Sequence, residues 1–411
     1  MNFDNPKGII ELGNINLKCL IFNVDNAENF EILSTSIIPT KGIHNGVVVN
    51  LAKASSSIRS CISEAERKAR VSLKNINVVF EQPDFLCTKF SKHIKINGSK
   101  IYKSDIDFLL KESKKQVVLN DDKQTIIHIF NYNYIVDGKK FLEEPIGVYA
   151  DSLSHEMTFI TMPKNNLKNI KQVFIDCDIE IERLISNTFA LGAKLLNENL
   201  LKFGSILLDM GSEKTSLGLF KNFALIHSMT LPIGINHITK DISKVCSLSL
   251  DEAEVIKNNI NFSFESKNLI FDENGFLKEI YFNDSSFRKI SEDLVLSVVK
   301  ARLEEIFKKI QKQIINTGID LNSGASFFIA GGGTKLLNFE KYCSNFFESN
   351  IKKLGIVDRT NNQKNYEENL NSCLGAFKII RDGWETEAIP ERGNKNGEKI
   401  GFFAKIFGVN A

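Results

Sequence analysis

A pattern of strand, acid, glycine, turn and strand occurs twice in this chain, and it limits the possible folds more than any other feature. Residues 11–22 read ELGNINLKCLIF and residues 209–220 read DMGSEKTSLGLF. In both copies an acid ends one strand, a glycine follows after one spacer, and a second strand ends on phenylalanine at the same offset. The copies lie about half a chain apart, so we predict two similar lobes.

Such a hairpin suits the phosphates of a nucleoside triphosphate. Its turn exposes backbone N–H groups, and a phosphate can approach a glycine closely because glycine has no side chain. The acid at the strand end is placed to hold a water of a bound Mg²⁺. Two such hairpins facing each other across a cleft would therefore clamp the nucleotide.

Two downstream features agree with this interpretation. Gly331, Gly332 and Gly333 follow a predicted strand at residues 326–330 and open a predicted helix, so close backbone approach coincides with a helix N-terminus. A glycine run alone is also common in ordinary turns. Glu254 and Lys257 share a face of a predicted helix, where a surface ion pair is the simple alternative.

The pattern of predicted strands and helices changes between about residues 83 and 163. Before it come a predicted meander (8–12, 18–24 and 30–38), a helix (55–71) and a strand (76–80). Within it we predict strands at 88–94, 124–130 and 156–161 and a helix at 104–118 with Ser104 as its N-cap. This region is interpreted as a small αβ domain inserted into a larger one. Later predicted helices include 250–259, 290–316 and 369–380.

These motifs together resemble the actin/Hsp70/sugar-kinase superfamily, and within it the FtsA family of bacterial cell-division actin homologues. The resemblance rests on GVVVNLAKASSSIRSCISEAERKA (46–69), the end of the inserted domain (130–161), LPIGINHITKDIS (231–243), LSLDEAEVIK (248–257) and the glycine run. It covers nearly the whole chain except residues 381–398 and parts of 262–288. The position of the insertion separates FtsA from ordinary actins and kinases.

The resemblance implies an α/β fold of two ribonuclease H-like lobes around a nucleotide cleft. The implied domains are the first lobe (1–83 and 163–200), the inserted domain (84–162), the second lobe (201–380), a tether (381–398) and an amphipathic segment (399–411). ATP with Mg²⁺ is the implied cofactor, with no separate metal site. The implied nucleotide-binding residues are Gly13, Asn14, Lys18, Asp209, Gly211, Ser212, Thr215, Glu254, Lys257, Gly331, Gly332 and Gly333.

Both hairpins depart from the family pattern. The first carries Glu11 and Asn14 where the family has Asp and Ser or Thr, and the second carries Ser212 and Glu213 where it has two glycines. A carboxylate ~4 Å from a phosphate costs on the order of 4 kcal/mol at an effective dielectric of ~20. Glu213 therefore weakens binding if it faces the phosphates, unless Lys214 offsets it, and is harmless if it faces solvent. Hydrolysis is doubtful, and we assign no catalytic residue.

The last residues form an amphipathic pattern. Ile400, Phe403 and Phe407 fall at i, i+3 and i+7, Phe402 and Ile406 lie beside them, and Lys405 and Lys399 give a basic edge. This pattern suits an anionic membrane surface, although a helix docking on the body is an alternative. The segment is too short to be a stable helix in water, so we expect it to fold on the bilayer. The membrane-binding residues are therefore predicted to be Ile400, Phe402, Phe403, Lys405, Ile406 and Phe407.

By resemblance, the chain tethers FtsZ to the cytoplasmic face of the inner membrane at the division site. The implied partners are the FtsZ C-terminal tail, other divisome proteins and further copies in a polymer. The lobe around residues 231–288 would receive the tail, with Lys240, Lys244 and Lys257 as candidates that are equally explained as solvated lysines. The alternatives are an actin-like pilus-assembly protein and a small-molecule kinase of the same superfamily.

Composition further limits the classes of partner and the cellular compartment that we expect. The 52 basic and 50 acidic residues give a net charge of +2, so nucleic acid is an unexpected partner. The seven cysteines are far apart with no CxxC pair, which is typical of buried thiols in a reducing compartment. No basic-then-apolar leader precedes the first strand, and no window approaches the ~18 apolar residues of a spanning helix. We therefore expect a cytosolic protein.

Overall fold

The computed structural model describes residues 6–24, 30–264, 268–282, 289–317, 326–354 and 370–381. The chain divides into two compact units. The described residues of the first unit lie within 6–204, 218–229 and 370–381, and those of the second lie within 205–217 and 230–354. The predicted tether and amphipathic segment, with all six predicted membrane-binding residues, lie outside the described residues.

The first unit is built on a five-stranded sheet. Its strands are β1 (Lys7–Leu12), β2 (Asn16–Val24), β3 (Phe30–Pro39), β6 (Asn75–Phe80) and β11 (Glu180–Ser186), in the order β11-β6-β1-β2-β3. The strands β1, β2 and β3 are antiparallel neighbours, as predicted, while β6 lies parallel to β1 and β11 parallel to β6. Consecutive residues of β2, from Cys19 to Phe22, are buried, so both faces of this strand are covered. Helices pack on the sheet and provide that cover. A short pair, β4 (Ile43–His44) and β5 (Val47–Val48), precedes the first helix.

The first unit has five described helices outside the inserted domain, and all of them except α5 pack on this sheet. They are α1 (Leu51–Ala69), α3 (Lys164–Ile175), α4 (Asn187–Leu195), α5 (Glu198–Phe203) and, near the end of the described chain, α10 (Asn371–Arg381). The helix α1 begins earlier than the predicted residue 55, because Asn50 caps it by accepting the Lys53 backbone N–H at 2.9 Å. Its apolar stripe, which includes Ile58, Ile62 and Ala65, is buried.

The inserted domain is a four-stranded antiparallel sheet with one helix. Its elements are β7 (Leu86–Lys100), α2 (Lys103–Asn120), β8 (Gln124–Val136), β9 (Lys139–Phe141) and β10 (Tyr149–Pro163), with strand order β7-β10-β8-β9. Ile106 and Leu109 of α2 join a buried cluster with sheet residues such as Tyr134 and Leu153. The predicted N-cap at Ser104 is wrong. The cap is Tyr102, whose backbone N–H is accepted by the Asp105 carboxylate at 2.8 Å.

A second five-stranded sheet carries the second copy of the repeat. Its strands are β12 (Ser205–Met210), β13 (Thr215–Lys221), β14 (Ala224–Leu231), β15 (Ser326–Ala330) and β16 (Ile351–Lys353), in the order β14-β13-β12-β15-β16. The helices of the second unit are α6 (Asn236–Cys246), α7 (Leu250–Asn259), α8 (Glu292–Asn316) and α9 (Phe339–Phe347). The prediction of α7 is confirmed to the residue, because its Ser249–Glu252 capping box is readable in the sequence.

Two helices of the first unit carry the same Leu-Gly-Ala triplet and meet at very short distance. Gly192 lies in α4 and Gly375 in α10. A Cβ on Gly375 would collide with the carbonyl oxygen of Ala190, and one on Gly192 would collide with the ring of Phe220. The absence of a side chain at Gly375 therefore sets how closely α10 approaches α4, and Gly192 makes room for the Phe220 ring of β13.

None of the described helices is long and apolar enough to cross a membrane. Six of the seven cysteines are buried, and Cys87 is partly exposed; all seven are free thiols. Burial is the main cause that raises the pKa of Cys61 to about 11 and that of Cys87 to about 12. These thiols are therefore protonated and unreactive at neutral pH.

Candidate functional site

The first hairpin, between β1 and β2, holds an internal ion pair. Lys18 Nζ lies 3.2 Å from Glu11 Oε1 and 3.1 Å from Oε2, and both side chains are mostly buried. The two residues are cross-strand partners in the β1–β2 ladder, which places their side chains side by side. The longer acid at position 11 therefore reaches the predicted phosphate-binding lysine directly.

The turn of this hairpin combines a glycine with an unsatisfied amide oxygen. A Cβ on Gly13 would collide with the carbonyl oxygen of Asn16, so the turn requires glycine. Asn14 donates from Nδ2 to Asn45 Oδ1 at 3.0 Å, but its own Oδ1 is buried and has no hydrogen-bond partner among the described residues. A buried acceptor without a donor is costly, and a bound ligand or a water would satisfy it.

In the second hairpin, between β12 and β13, Asp209 is the next-to-last residue of β12 and pairs with Ala330 of β15. The turn is closed by a hydrogen bond from the Gly211 N–H to the Lys214 carbonyl at 3.0 Å. Thr215 lies at the start of β13, buried, and its hydroxyl donates to the Ile233 carbonyl at 2.8 Å. The Thr215 hydroxyl therefore serves the protein's own backbone in this structure.

Glu213, whose direction the sequence left open, points toward α6. Its carboxylate accepts Lys240 Nζ at 2.8 and 3.1 Å and Asn236 Nδ2 at 3.0 Å. Burial acts to raise the pKa of Glu213, but the hydrogen bonds and charge of Lys240 and the bond from Asn236 outweigh it and hold the pKa below its usual range. Glu213 is therefore ionised at neutral pH and paired with Lys240, a partner not expected from the sequence.

The glycine run lies against the second hairpin. A Cβ on Gly331 would collide with Asp209 Oδ1, and one on Gly333 would lie 2.7 Å from Met210 Cβ. The expectation that this run opens an α-helix is wrong. It opens a 3₁₀ turn, Gly332–Lys335, and α9 begins only at Phe339, because Gly331 adopts a φ of 85° and Asn338 a φ of 58°.

Glu254 and Lys257 are paired on α7, and the lysine of this pair is buried. Lys257 is only 1% exposed, and its Nζ lies 2.6 Å from Glu254 Oε2. Thr239 of α6 donates to the same oxygen at 2.6 Å. Burial favours a higher pKa for Glu254, yet the Lys257 and Thr239 hydrogen bonds lower it overall. The pair therefore combines a buried ammonium with a carboxylate whose side chain is 42% exposed, and Thr239 links it to α6.

The three lysines considered for binding a peptide partner differ in exposure and in whether an acidic residue already binds them. Lys257 is buried, Lys240 is held by Glu213, and Lys244 is exposed on α6. Exposed apolar residues accompany Lys244 on α6 and α7, namely Val245, Leu250 and Val255. Lys240 is half-exposed as well, but its ammonium is paired with Glu213, so Lys244 is the candidate of the three for a peptide partner.

The structure brings together Asp209, Gly211, Ser212 and the glycine run, and it adds residues that sequence reasoning missed. Gly234 packs on the second hairpin, and a Cβ there would lie 2.5 Å from the carbonyl oxygens of both Gly211 and Ser212. The signal for it was the glycine directly before α6 in LPIGINHITK. Gly13, Asn14 and Lys18 lie together in the hairpin of the other unit.

Two family models match this chain. One, described as "Cell division protein FtsA", matches residues 206–371. The other, described as "SHS2 domain inserted in FTSA", matches residues 85–161. The second match coincides with the inserted αβ domain of β7, α2, β8, β9 and β10.

Curated relatives agree over most of the chain. The cell division protein FtsA of Neisseria meningitidis serogroup B is 25% identical over 330 residues, covering 77% of this chain and 78% of the relative. That of Streptococcus pneumoniae is 24% identical over 348 residues, covering 84% of this chain and 74% of the relative. That of Agrobacterium fabrum is 22% identical over 359 residues, covering 84% and 80%.

Solved structures give the same fold. A PilM–PilN type IV pilus biogenesis complex aligns with a TM-score of 0.62 at 13% identity, covering 91% of this chain and 98% of that chain. MreB5 of Spiroplasma citri bound to ADP aligns with a TM-score of 0.50 at 12% identity, covering 93% and 99%. At such identity the likeness establishes the actin-like α/β fold alone, and it confirms the predicted fold class.

Proposed function

This chain belongs to the FtsA family of cell-division proteins, and from that premise we propose that it tethers FtsZ to the cytoplasmic face of the inner membrane at the division site. There it binds the FtsZ C-terminal tail, recruits other divisome proteins and self-associates into polymers. The observation that supports this most is the FtsA-type domain at residues 85–161, inserted in an actin-like chain.

The surface proposed for the FtsZ tail lies on α6 and α7. Lys244 offers an exposed ammonium there, and Val245, Leu250 and Val255 offer apolar area. A tail with acidic and apolar residues would use both, because charge guides the encounter while apolar burial supplies affinity. Lys240 and Lys257 are already engaged by Glu213 and Glu254.

Binding of an FtsZ C-terminal peptide to the full-length chain tests this proposal. We expect measurable affinity, and Lys244→Glu should weaken it by about tenfold, which corresponds to ~1.4 kcal/mol. Lys194→Glu, at an exposed lysine of α4, is the matched control and should have no effect. Absence of binding at high micromolar peptide would contradict the tether role.

We further propose that the hairpins bind ATP with Mg²⁺ and that turnover is negligible. The unsatisfied Asn14 Oδ1 supports a ligand at the first hairpin. Gly13, Asn14 and Lys18 would hold phosphates from one hairpin, and Asp209, Gly211, Ser212, Thr215 and Gly331 to Gly333 from the other, with Glu254 and Lys257 toward the nucleoside. Equilibrium binding of Mg-ATP and a turnover assay on one sample test this, and no binding at millimolar ATP would contradict it.

The alternative is an actin-like pilus-assembly protein, a class that shares the fold, as the PilM–PilN complex does. Removing residues 399–411 discriminates, because a pilus-assembly protein would not need a C-terminal membrane segment. Loss of liposome binding in the truncated chain supports the FtsA role. Unchanged liposome binding would favour the alternative.

A further inference from the structure

The turn of the second hairpin contains a negative charge and, in contact with it, a positive one. Glu213 is 16% exposed at its side chain, and both of its oxygens lie within 3.1 Å of Lys240 Nζ. Asn236 adds a third hydrogen bond. This arrangement is a chelated, mostly buried carboxylate, unlike a loose surface ion pair.

Backbone contacts fix Lys240 relative to Glu213. The N–H groups of Ile235 and Asn236 donate to the carbonyls of Gly211 and Ser212 at 3.0 and 2.8 Å. These bonds attach the hairpin turn to the beginning of α6, one turn before Lys240. The two charges therefore face each other because the local backbone requires it.

The neighbours of Lys240 hold α6 in place on both sides. Thr239 bonds Glu254 of α7, and Asp241 forms a two-pronged pair with Arg302 of α8. His237, also near Glu213, contributes no charge at neutral pH, because burial first and Lys240 second lower its pKa. Lys240 is therefore the cation that contacts the Glu213 carboxylate directly.

We propose that Lys240 compensates the charge of Glu213, so that the second hairpin accepts a nucleotide phosphate although two family glycines are replaced. This inference rests on the proposed nucleotide site and names a residue that controls its electrostatics. An uncompensated Glu213 repels a phosphate, whereas the Glu213–Lys240 pair presents little net charge. Lys240 is thus a positioning and compensating residue, and it need not touch the nucleotide.

Calorimetric titration of the full-length chain with Mg-ATP tests the inference. Lys240→Met should weaken binding by about tenfold, because the carboxylate is then unpaired. Glu213→Gln, which keeps the shape of the side chain and removes its charge, should tighten binding about fivefold, because Lys240 is then free. The double variant should bind within about threefold of the parent chain, since both charges are absent.

Two matched controls separate this local effect from net charge. Lys312→Met removes an exposed lysine of α8, and Glu273→Gln removes an exposed acid of the same unit. Both should leave Mg-ATP affinity unchanged. Thermal unfolding without nucleotide verifies that each variant is folded, and Glu213→Gln keeps the test informative if Lys240→Met does not fold.

The outcomes distinguish the inference from the proposed function. If the parent binds Mg-ATP and Glu213→Gln and Lys240→Met bind equally well, the inference is overturned and the nucleotide site stands. If Lys240→Met and Lys312→Met weaken binding equally, the effect is one of net charge, and the inference is again overturned. If neither the parent nor Glu213→Gln binds at millimolar Mg-ATP, the nucleotide site itself is overturned.

Discussion

At the scale of single residues, Gly375 determines how closely α10 approaches α4. A Cβ there would collide with the Ala190 carbonyl oxygen, which cannot move without shifting the backbone of α4. We expect Gly375→Ala to lower the free energy of unfolding by about 1–3 kcal/mol, as overpacked cores do. Urea unfolding followed by circular dichroism measures the change.

An increase in the free energy of unfolding of Gly375→Ala would contradict this prediction. Alanine is a better helix former than glycine by about 1 kcal/mol, so an uncrowded site would gain stability from the substitution. A Gly375→Ala variant as stable as its parent would show that α4 and α10 separate at little cost.

His128 makes stability depend on pH. It is fully buried against the rings of Phe130 and Phe189, and its Nε2 accepts the Ser186 N–H at 2.8 Å. Burial, and secondly the charge of Arg183, lowers its pKa to about 3. In the unfolded chain the pKa is ~6.5, so the unfolded state binds the extra proton and stability falls as pH drops below ~6.5.

The expected loss from His128 between pH 7 and pH 5 is about 2 kcal/mol of unfolding free energy. His128→Gln should remove that part of the pH dependence, although His155, with a pKa lowered to about 4 mainly by burial, retains its own contribution of the same sign. Urea midpoints at both pH values measure this. An equal slope in His128→Gln and in the exposed-site control His93→Gln would refute the assignment.

The sequence predicted which residues form the two hairpins of the candidate site, but not which side chains pair with one another there. The acid, glycine and turn pattern identified both hairpins, since it depends on neighbours in sequence. The Glu213–Lys240 pair joins residues 27 positions apart, and only the attachment of the turn to α6 brings them together. Lys214, the sequence neighbour considered for that role, is not the residue that the described hydrogen bonds place on Glu213.

At the scale of elements, α6 is held to α8 by one two-pronged ion pair. Arg302 Nε and Nη2 lie 2.6 and 3.0 Å from the two Asp241 oxygens, and the Asp241 hydrogen bond is the main cause that raises the Arg302 pKa. Both side chains are about one quarter exposed, so solvent screens part of the attraction. We expect Asp241→Asn to cost about 1 kcal/mol of unfolding free energy.

A matched substitution on α8 tests whether geometry or charge matters. Glu304 pairs with Lys308 at i,i+4, and both side chains are well exposed. Glu304→Gln should cost less than about 0.5 kcal/mol in the same urea experiment. Equal effects of the two substitutions would argue against Asp241 as the link between α6 and α8.

Elements were predicted best where local signals agree. The bounds of α7 were predicted correctly, and its Ser249–Glu252 capping box is a local signal for its start, while α8 was predicted to within two residues of its start. The start of α2 was misplaced because Ser104 resembles a cap, whereas the acid at Asp105 closes the turn from Tyr102. The 3₁₀ turn after Gly331 depends on a positive φ that the glycine run permits but does not require.

At the scale of the whole molecule, the proposed membrane tether combines a folded body with a short amphipathic end at residues 399–411. Each apolar side chain of that end contributes at most ~1.5–3 kcal/mol on burial, and folding on the bilayer offsets part of it. One anchor is therefore reversible, and an array of anchors on a polymer binds by avidity. A single charge in the apolar face should thus release the protein.

Phe403→Glu tests this at the level of the intact chain, by sedimentation with liposomes that contain anionic lipid. We expect sedimentation to be abolished, because the substitution removes an apolar anchor and adds a charge that the lipid headgroups repel. Phe203→Glu, at a phenylalanine that is 72% exposed at the end of α5, carries the same change of charge and should sediment like the parent. If Phe403→Glu still sediments, the anchor lies elsewhere, and the FtsZ-binding and nucleotide proposals stand without it. If both variants are released, net charge controls membrane binding, and the amphipathic pattern of residues 399–411 is not its cause.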